Sequence, residues 1–353
     1  MPRLRYLHRM LPAAVLILTG WAVSAAPQAH LVLDVQTGAV LSADNADTPL
    51  HPASLTKMMT LYLAFDALKS GTIAANDPVT VSASAAAKGG SSLHLRDGDR
   101  TTVQALILGT AIRSANDAAT ALAEAIGGTE AAFVARMNDT ARRLGLTATR
   151  FRNPHGLTAS GHLSTARDMA ELGRRLAMDH PEFFSLFRQR TARIGTREIA
   201  HTNRRFLGAY DGADGIKTGY TRAAGYNLTA SARRSGRHLI VTVFGATSSA
   251  ERTETVARLM DRGFSMTPDT DTAPLRSRPT RPETAFIAGL FPEPGTSGPQ
   301  AVRKPRPAMP GAILLRQAAP PAGNPKMKHA AGAVSLGGLR VRQGLIPAAS
   351  ALQ

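Results

Sequence analysis

The chain has 353 residues, 43% of them hydrophobic and 19% charged, an ordinary globular composition that supports a real core and excludes both full disorder and a multi-span membrane protein. It contains no Cys, so disulfide staples, thiolate metal sites and a Cys nucleophile are excluded together. A net charge of +17 raises the polyanion-binding class, but aromatic residues make up only 5% and do not interleave with basic ones, which argues against single-strand nucleic-acid binding.

In chain order, Arg3, Arg5 and Arg9 precede an apolar stretch from Leu11 to Val23 and the small residues Ser24-Ala25-Ala26. That order is the pattern of a cleaved export signal over 1–26, and the apolar run is short for a span that takes about 20 residues. The mature chain is therefore expected outside the cytoplasm, in the periplasm. His30 to Val35 reads as a strand, Gln36-Thr37-Gly38 as a turn, and Ala39-Val40-Leu41 as the returning strand of a hairpin. A helical period starts at Ser54, runs through Leu55, Met58, Met59, Tyr62, Leu63, Phe65 and Leu68, and closes at Ser70-Gly71. Residues 101–145 are helical in composition, with breaks at Arg113–Asn116 and at Gly127-Gly128. A further helix is expected over Thr165–Met178, with Asp168 in its first turn. After Gly215 the period changes to that of strands, Tyr226–Ala232 and Arg237–Phe244 around a turn at Arg234-Ser235-Gly236. A last helix is expected from about Glu251 to Asp261, stopping at Gly263. The fold class is thus α/β in the broad α+β sense. The two ends of 27–266 pair into one antiparallel sheet flanked by helices, an all-helical lobe stands between them in sequence, and a ligand cleft lies between the lobes.

Beyond Met266 the composition shifts. Residues 267–353 hold 14 of the 22 Pro and carry a net charge of +7, with no sustained period. They read as a basic, disordered tail that would touch cell wall or an anionic membrane surface.

Lysine usage points to the chemistry. Only seven of the 42 basic residues are Lys. A chain so biased toward Arg keeps Lys where a guanidinium would fail, since a desolvated amine can give up its proton and act as a base. Lys69 and Lys88 read as solvated surface residues; Lys57 and Lys217 lie in short motifs. Ser54-Leu55-Thr56-Lys57 places a hydroxyl and an amine on one helical face, with the helix N-terminus adding a positive field, so Ser54 could be an activated nucleophile. The structural alternative is a helix cap at Ser54 and a solvated Lys57. Ser114-Ala115-Asn116 breaks a helical block and could point a hydroxyl and an amide into one cavity, Ser114 to relay a proton to Lys57 and Asn116 to bind a substrate amide; a capping loop is the alternative. Lys217-Thr218-Gly219 opens a strand, and its cation and hydroxyl could hold a carboxylate while Gly219 lets a ligand lie against the strand edge. Its alternative is a turn-to-strand junction with an exposed Lys. The ten His show no metal-binding spacing such as His-Glu-x-x-His, and neither a metal nor a cofactor is expected.

Ser-x-x-Lys, then Ser-x-Asn 60 residues on, then Lys-Thr-Gly 103 residues later, resembles the penicillin-recognising serine acyltransferases. Pro52–Thr60, Asn153-Pro154-His155-Gly156-Leu157, Ser164–Met169, Asp214–Thr221 and Ala224–Leu228 narrow the resemblance to the low-molecular-mass D-alanyl-D-alanine carboxypeptidases, over about 29–265. That resemblance implies a β-lactamase/penicillin-binding-protein-like fold. It implies Ser54 as nucleophile, Lys57 as general base and Ser114 as a third catalytic residue, with Asn116 on the opposite wall. It also implies Lys217 and Thr218 as binders of a terminal carboxylate at the Gly219 edge. The oxyanion hole would form from the backbone N–H groups of Ser54 and Tyr220, and Arg252 would add charge at the carboxylate. The implied substrate is a peptidoglycan stem peptide ending in D-Ala-D-Ala, and β-lactam antibiotics would be covalent inhibitors. A D,D-endopeptidase or a β-lactamase of the same fold is the alternative enzyme. A non-catalytic wall-binding protein is the alternative from another class. No motif places a Glu as a deacylating base, and the segment after Met266 resembles neither the second β-rich domain nor the anchoring helix of many relatives.

Overall fold

A computed structural model of the chain describes residues 27–266. The expected export signal over 1–26 and the expected tail over 267–353 lie outside the described residues. The elements run β1 (Ala29–Asp34), β2 (Val40–Asp44), α1 (Lys57–Lys69), β3 (Pro78–Thr80), α2 (Ala83–Ala86), β4 (Arg100–Thr102), α3 (Val103–Leu108), α4 (Asn116–Gly127), α5 (Glu130–Arg143), α6 (Ala166–Asp179), β5 (Thr191–Ile194), β6 (Arg197–Ala200), α7 (Arg204–Ala209), β7 (Ala213–Thr221), β8 (Gly225–Arg234), β9 (Arg237–Ala246) and α8 (Ser249–Met266).

The sheet has the order β2-β1-β9-β8-β7, all antiparallel. The first strand therefore pairs with the last, Ala29 opposite Phe244 and Asp34 opposite Leu239, and the two ends of 27–266 close one layer as expected. Both faces of that layer are covered. Leu31, Leu33, Ile240 and Phe244 point into the core shared with the helices. Val32, Leu239, Val241 and Val243 point the other way, onto Val256, Leu259 and Met260 of α8. The alternation is the period of two of a strand, and β9 reads as a continuous apolar run because α6 covers one face and α8 the other.

Three sequence expectations are corrected here. Gly263 does not stop the last helix: it lies inside α8, where a Cβ would stand 2.9 Å from Val32 Cγ1, so the glycine lets helix and sheet approach closely. Lys217-Thr218-Gly219 sits in the middle of β7 rather than at its opening, because Ala213 already pairs with Ala232. The helix expected from Ser54 starts at Lys57, after a 3₁₀ turn over Ala53–Thr56. That helix, α1, is buried on every side, Met58, Met59, Leu61 and Phe65 included, so it is the axis of the helical lobe and not a surface helix. Among the described residues no helix is long and apolar enough to cross a membrane.

Candidate active site

The 3₁₀ turn carrying Ser54 is gripped from two sides by chain that comes too close for side chains. A Cβ on Gly156, whose φ is +89°, would lie 1.9 Å from the Ala53 carbonyl oxygen. A Cβ on Gly219 would lie 3.1 Å from the Ser54 nitrogen and 3.0 Å from the Pro52 oxygen. Glycine is needed at both positions for approach, and at Gly156 for conformation too. Strand β7 and the 153–157 loop therefore bracket the start of α1. Two side chains of α1 then hold that loop by consecutive carbonyls: Thr60 Oγ1 donates to Pro154 O at 2.6 Å and Lys57 Nζ to His155 O at 2.6 Å.

Lys57 is fully buried, which removes the solvated-lysine alternative. Its Nζ lies 3.0 Å from Ser54 Oγ, 2.6 Å from Asn116 Oδ1 and 2.6 Å from His155 O. Burial, then the cation of Lys217, holds its pKa well below that of a free lysine, against the opposing pull of Asp117. A neutral amine has two N–H donors and one lone pair. Asn116 Oδ1 and His155 O are pure acceptors and take the two donors; the lone pair is left for the hydroxyl of Ser54. Ser54 makes no capping bond, so the capping alternative does not hold either.

Asn116 opens α4, and both ends of its amide are used. Oδ1 accepts from Lys57, and Nδ2 donates to Gly89 O at 2.6 Å. Ser114, two residues before, ends a π-helical turn over Gly109–Arg113 in the left-handed conformation, φ +62°, and is 5% exposed. Among the described residues its hydroxyl makes no hydrogen bond, and Lys57 is not its partner. Asp117, adjacent to Asn116, accepts from the backbone of Leu93 and Leu95 and from Ser92 Oγ, which orders the opposite loop.

On the sheet side Lys217 is fully buried and, among the described residues, donates only to the Thr218 carbonyl, at 3.0 Å. Burial, then the Arg252 guanidinium, pushes its pKa down to about 7. Thr218 Oγ1 donates to Thr202 Oγ1 at 2.8 Å. Arg252, in the first turn of α8, is 9% exposed, its Nε has no hydrogen-bond partner among the described residues, and burial lowers its pKa to about 10, which leaves it charged at neutral pH. Thr202 and Arg252 border a cavity of about 300 Å³ that also takes in Asn203, Arg204, Arg205 and Ser249. Among the described residues no carboxylate lines it. Tyr220 follows Gly219 at the rim, 55% exposed, with its ring 4.4 Å from that of Tyr226.

The structure thus brings Lys57 into direct contact with both Ser54 and Asn116, sets Gly219 against the Ser54 turn, and places Arg252 and Thr202, the hydrogen-bond partner of Thr218, at a basic cavity. Sequence reasoning missed Thr202, Gly89 and the carbonyl of His155. The latter two act through backbone atoms, which residue identity does not announce. Among the described residues no three His, Asp or Glu converge where a metal ion could sit.

The profile of the D-alanyl-D-alanine carboxypeptidase family matches residues 20–248. D-alanyl-D-alanine carboxypeptidase DacF of Bacillus subtilis is 40% identical over 247 residues, 67% of this chain and 61% of that protein. Penicillin-binding protein 5 of Haemophilus influenzae superposes with a TM-score of 0.65 at 36% identity, over 69% of this chain and 72% of that one. Penicillin-binding protein D2 of Listeria monocytogenes, in its ampicillin-bound form, superposes with a TM-score of 0.62 at 31% identity, over 67% of this chain and 96% of that one. The chain spans about three-fifths of the length of the curated relatives DacF and DacC of Escherichia coli.

Proposed function

The chain belongs to the D-alanyl-D-alanine carboxypeptidase family, and from that premise we propose that it is a serine carboxypeptidase that removes the terminal D-Ala from peptidoglycan stem peptides through an acyl-enzyme on Ser54. The observation that carries the reading is the partner set of Lys57, two acceptors for its N–H groups and one hydroxyl for its lone pair. In this reading Lys57 takes the Ser54 proton as Oγ attacks the carbonyl of the penultimate D-Ala. The oxyanion is held by the backbone N–H groups of Ser54 and Tyr220. The C–N bond breaks as the proton passes to the leaving amine, with Ser114 lining the path. Water then attacks the ester, Lys57 takes its proton, and Ser54 Oγ recovers one as the acyl group leaves. Lys217, Thr218 and Arg252 hold the terminal carboxylate, Gly219 lets β7 lie against the Ser54 turn, and Asn116 orients Lys57 and faces the substrate amide.

The bound ampicillin of the Listeria relative supports the further proposal that β-lactams acylate Ser54. Release of D-alanine from a pentapeptide ending in D-Ala-D-Ala, together with covalent labelling by a fluorescent penicillin that disappears in Ser54→Ala, is the test. A chain that releases no D-alanine and takes no label is a binder, not an enzyme.

The remaining proposals concern location and reach. The Arg-rich start and apolar run of 1–26 support cleaved export to the periplasm, leaving 27–266 as the catalytic domain. The +7 of 267–353 supports contact with cell wall or an anionic surface, which would weaken with salt.

A further inference from the structure

Lys88, read from the sequence as a surface residue, is tied inward. Its Nζ lies 2.8 Å from Glu130 Oε2, and both side chains are mostly buried. Glu130 stands in the first turn of α5, and its other oxygen, Oε1, is 3.7 Å from His155 Nε2. His155 Nδ1 accepts from the Leu157 backbone N–H at 3.2 Å, so the ring proton sits on Nε2 and faces the carboxylate. Burial first, with Lys88 among the nearby basic groups, lowers the pKa of His155 to about 3, so that tautomer is neutral at physiological pH. One carboxylate therefore faces two loops, the 88–95 loop through Lys88 and the 153–157 loop through His155.

Each loop delivers one backbone carbonyl to the Lys57–Asn116 pair. Gly89, next to Lys88, accepts from Asn116 Nδ2, and His155 accepts from Lys57 Nζ. The Gly89 contact decides which end of the Asn116 amide Lys57 meets. With Nδ2 bound to Gly89 O, the acceptor Oδ1 is turned to Lys57. If Gly89 moves and the amide flips, an N–H faces Lys57, and the lone pair is drawn to that donor instead of to Ser54. The space is already tight: a Cβ on Gly90 would be 2.9 Å from Asn116 Nδ2.

We propose that Lys88 and Glu130 are positioning residues of the reaction, a clamp that with the His155 ring locks together the two loops whose carbonyls aim Asn116 and Lys57 at Ser54. The inference rests on the acyl-transfer reading. A partly exposed ion pair contributes little to global stability, so a positioning role and a merely structural one separate experimentally. Both charges can be removed without touching any group that contacts Ser54.

The test uses the full chain and measures acylation by a fluorescent penicillin at increasing concentration, which splits non-covalent binding from the limiting acylation rate. Lys88→Met and Glu130→Gln are each expected to slow the limiting rate by about tenfold or more, since small displacements of a catalytic group carry factors of that size. The dissociation constant of the non-covalent complex stays within about twofold and the melting temperature within a few degrees. The double variant is no slower than the slower single, because one clamp is lost once. Lys88→Arg, which keeps the charge, restores most of the rate. Unchanged rates in both single variants, multiplied losses in the double, or losses that track the melting temperature overturn the clamp while leaving the acyl-transfer reading intact. Absence of labelling in the unmodified chain removes that reading and the clamp with it.

Discussion

Lys57 and Lys217 are both fully buried, and their surroundings differ in kind. Lys57, at the base of the helical lobe, has three protein partners and a cation as its neighbour. Among the described residues Lys217, on the sheet, has one carbonyl, and the nearby Arg252 guanidinium leaves its Nε unpaired beside a cavity without a carboxylate. The first site is complete as a neutral amine. The second is short of one anion. A buried cation without a counter-charge costs free energy, and what persists at such cost is a site whose partner comes from outside. That contrast suits the proposed function, in which proton transfer belongs to the helical side and carboxylate recognition to the sheet side.

The sharpest way to break that assignment is to replace Lys57 by a basic group that cannot lose its proton. Lys57→Arg is expected to lower penicillin acylation and peptide hydrolysis by about 10²–10⁴-fold, the usual worth of a positioned base, and to fall nearly as far as Lys57→Ala. Ser54→Ala abolishes the adduct, and it leaves the fold intact because Ser54 makes no capping bond. An Arg variant that keeps substantial activity would mean that the Lys57 lone pair does not take the Ser54 proton.

The sheet side is tested through the substrate. Amidating the terminal carboxylate of a D-Ala-D-Ala peptide is expected to lower kcat/KM by at least about tenfold, the loss of a charge-assisted hydrogen bond at ~1.4 kcal/mol per decade. In a Thr218→Val, Arg252→Ala double variant the same change should matter much less. The preference for the acid should also fade as pH rises. A lysine is charged only below its pKa, and in the free enzyme Lys217 titrates at about 7. A descending limb of kcat/KM near that pH is expected for the acid and not for the amide. Equal turnover of acid and amide by the unmodified enzyme would favour the endopeptidase.

How far the cleft could be read from residues alone differs between its two sides as well. The sheet was readable where strands are long and buried on alternate faces: Tyr226–Ala232 and Arg237–Phe244 fall within β8 and β9, and the pairing of both chain ends followed from their apolar runs. The two-stranded pairs β3–β4 and β5–β6 were not, because three or four residues such as Arg100-Thr101-Thr102 carry no usable period. Ser54, Lys57, Asn116, Lys217 and Thr218 stood out by type and order. What suits Lys57 to the proposed role of base did not, since two of the determinants are the carbonyls of Gly89 and His155 and the third is burial of α1 on every side. Gly263 misled because a glycine near a helix end reads as a stop, whereas here it serves close packing against Val32 and Leu239.

The smallest effect is in stability, and it separates the two lysines most directly. The pKa of Lys217 is about 7 in the folded chain and near the ordinary lysine value when unfolded, so between those values the unfolded chain binds more protons and stability rises with pH. Below about pH 7 the folded chain must carry the buried charge in full, a cost on the order of a few kcal/mol. Lys217→Met removes that charge and relieves Arg252. It is expected to raise the melting temperature by several degrees at pH 6, with the gain shrinking as pH rises toward 10. Lys57→Met also removes a buried lysine, but it strands the Asn116 and His155 acceptors, each worth about 1–3 kcal/mol when left unpaired, so it should gain nothing or lose stability. Thermal unfolding of the two variants against the unmodified chain at pH 6 and pH 9 measures the difference. Equal gains in both would mean that Lys57 is no better satisfied than Lys217, and the division of labour between helical and sheet sides would lose its physical basis.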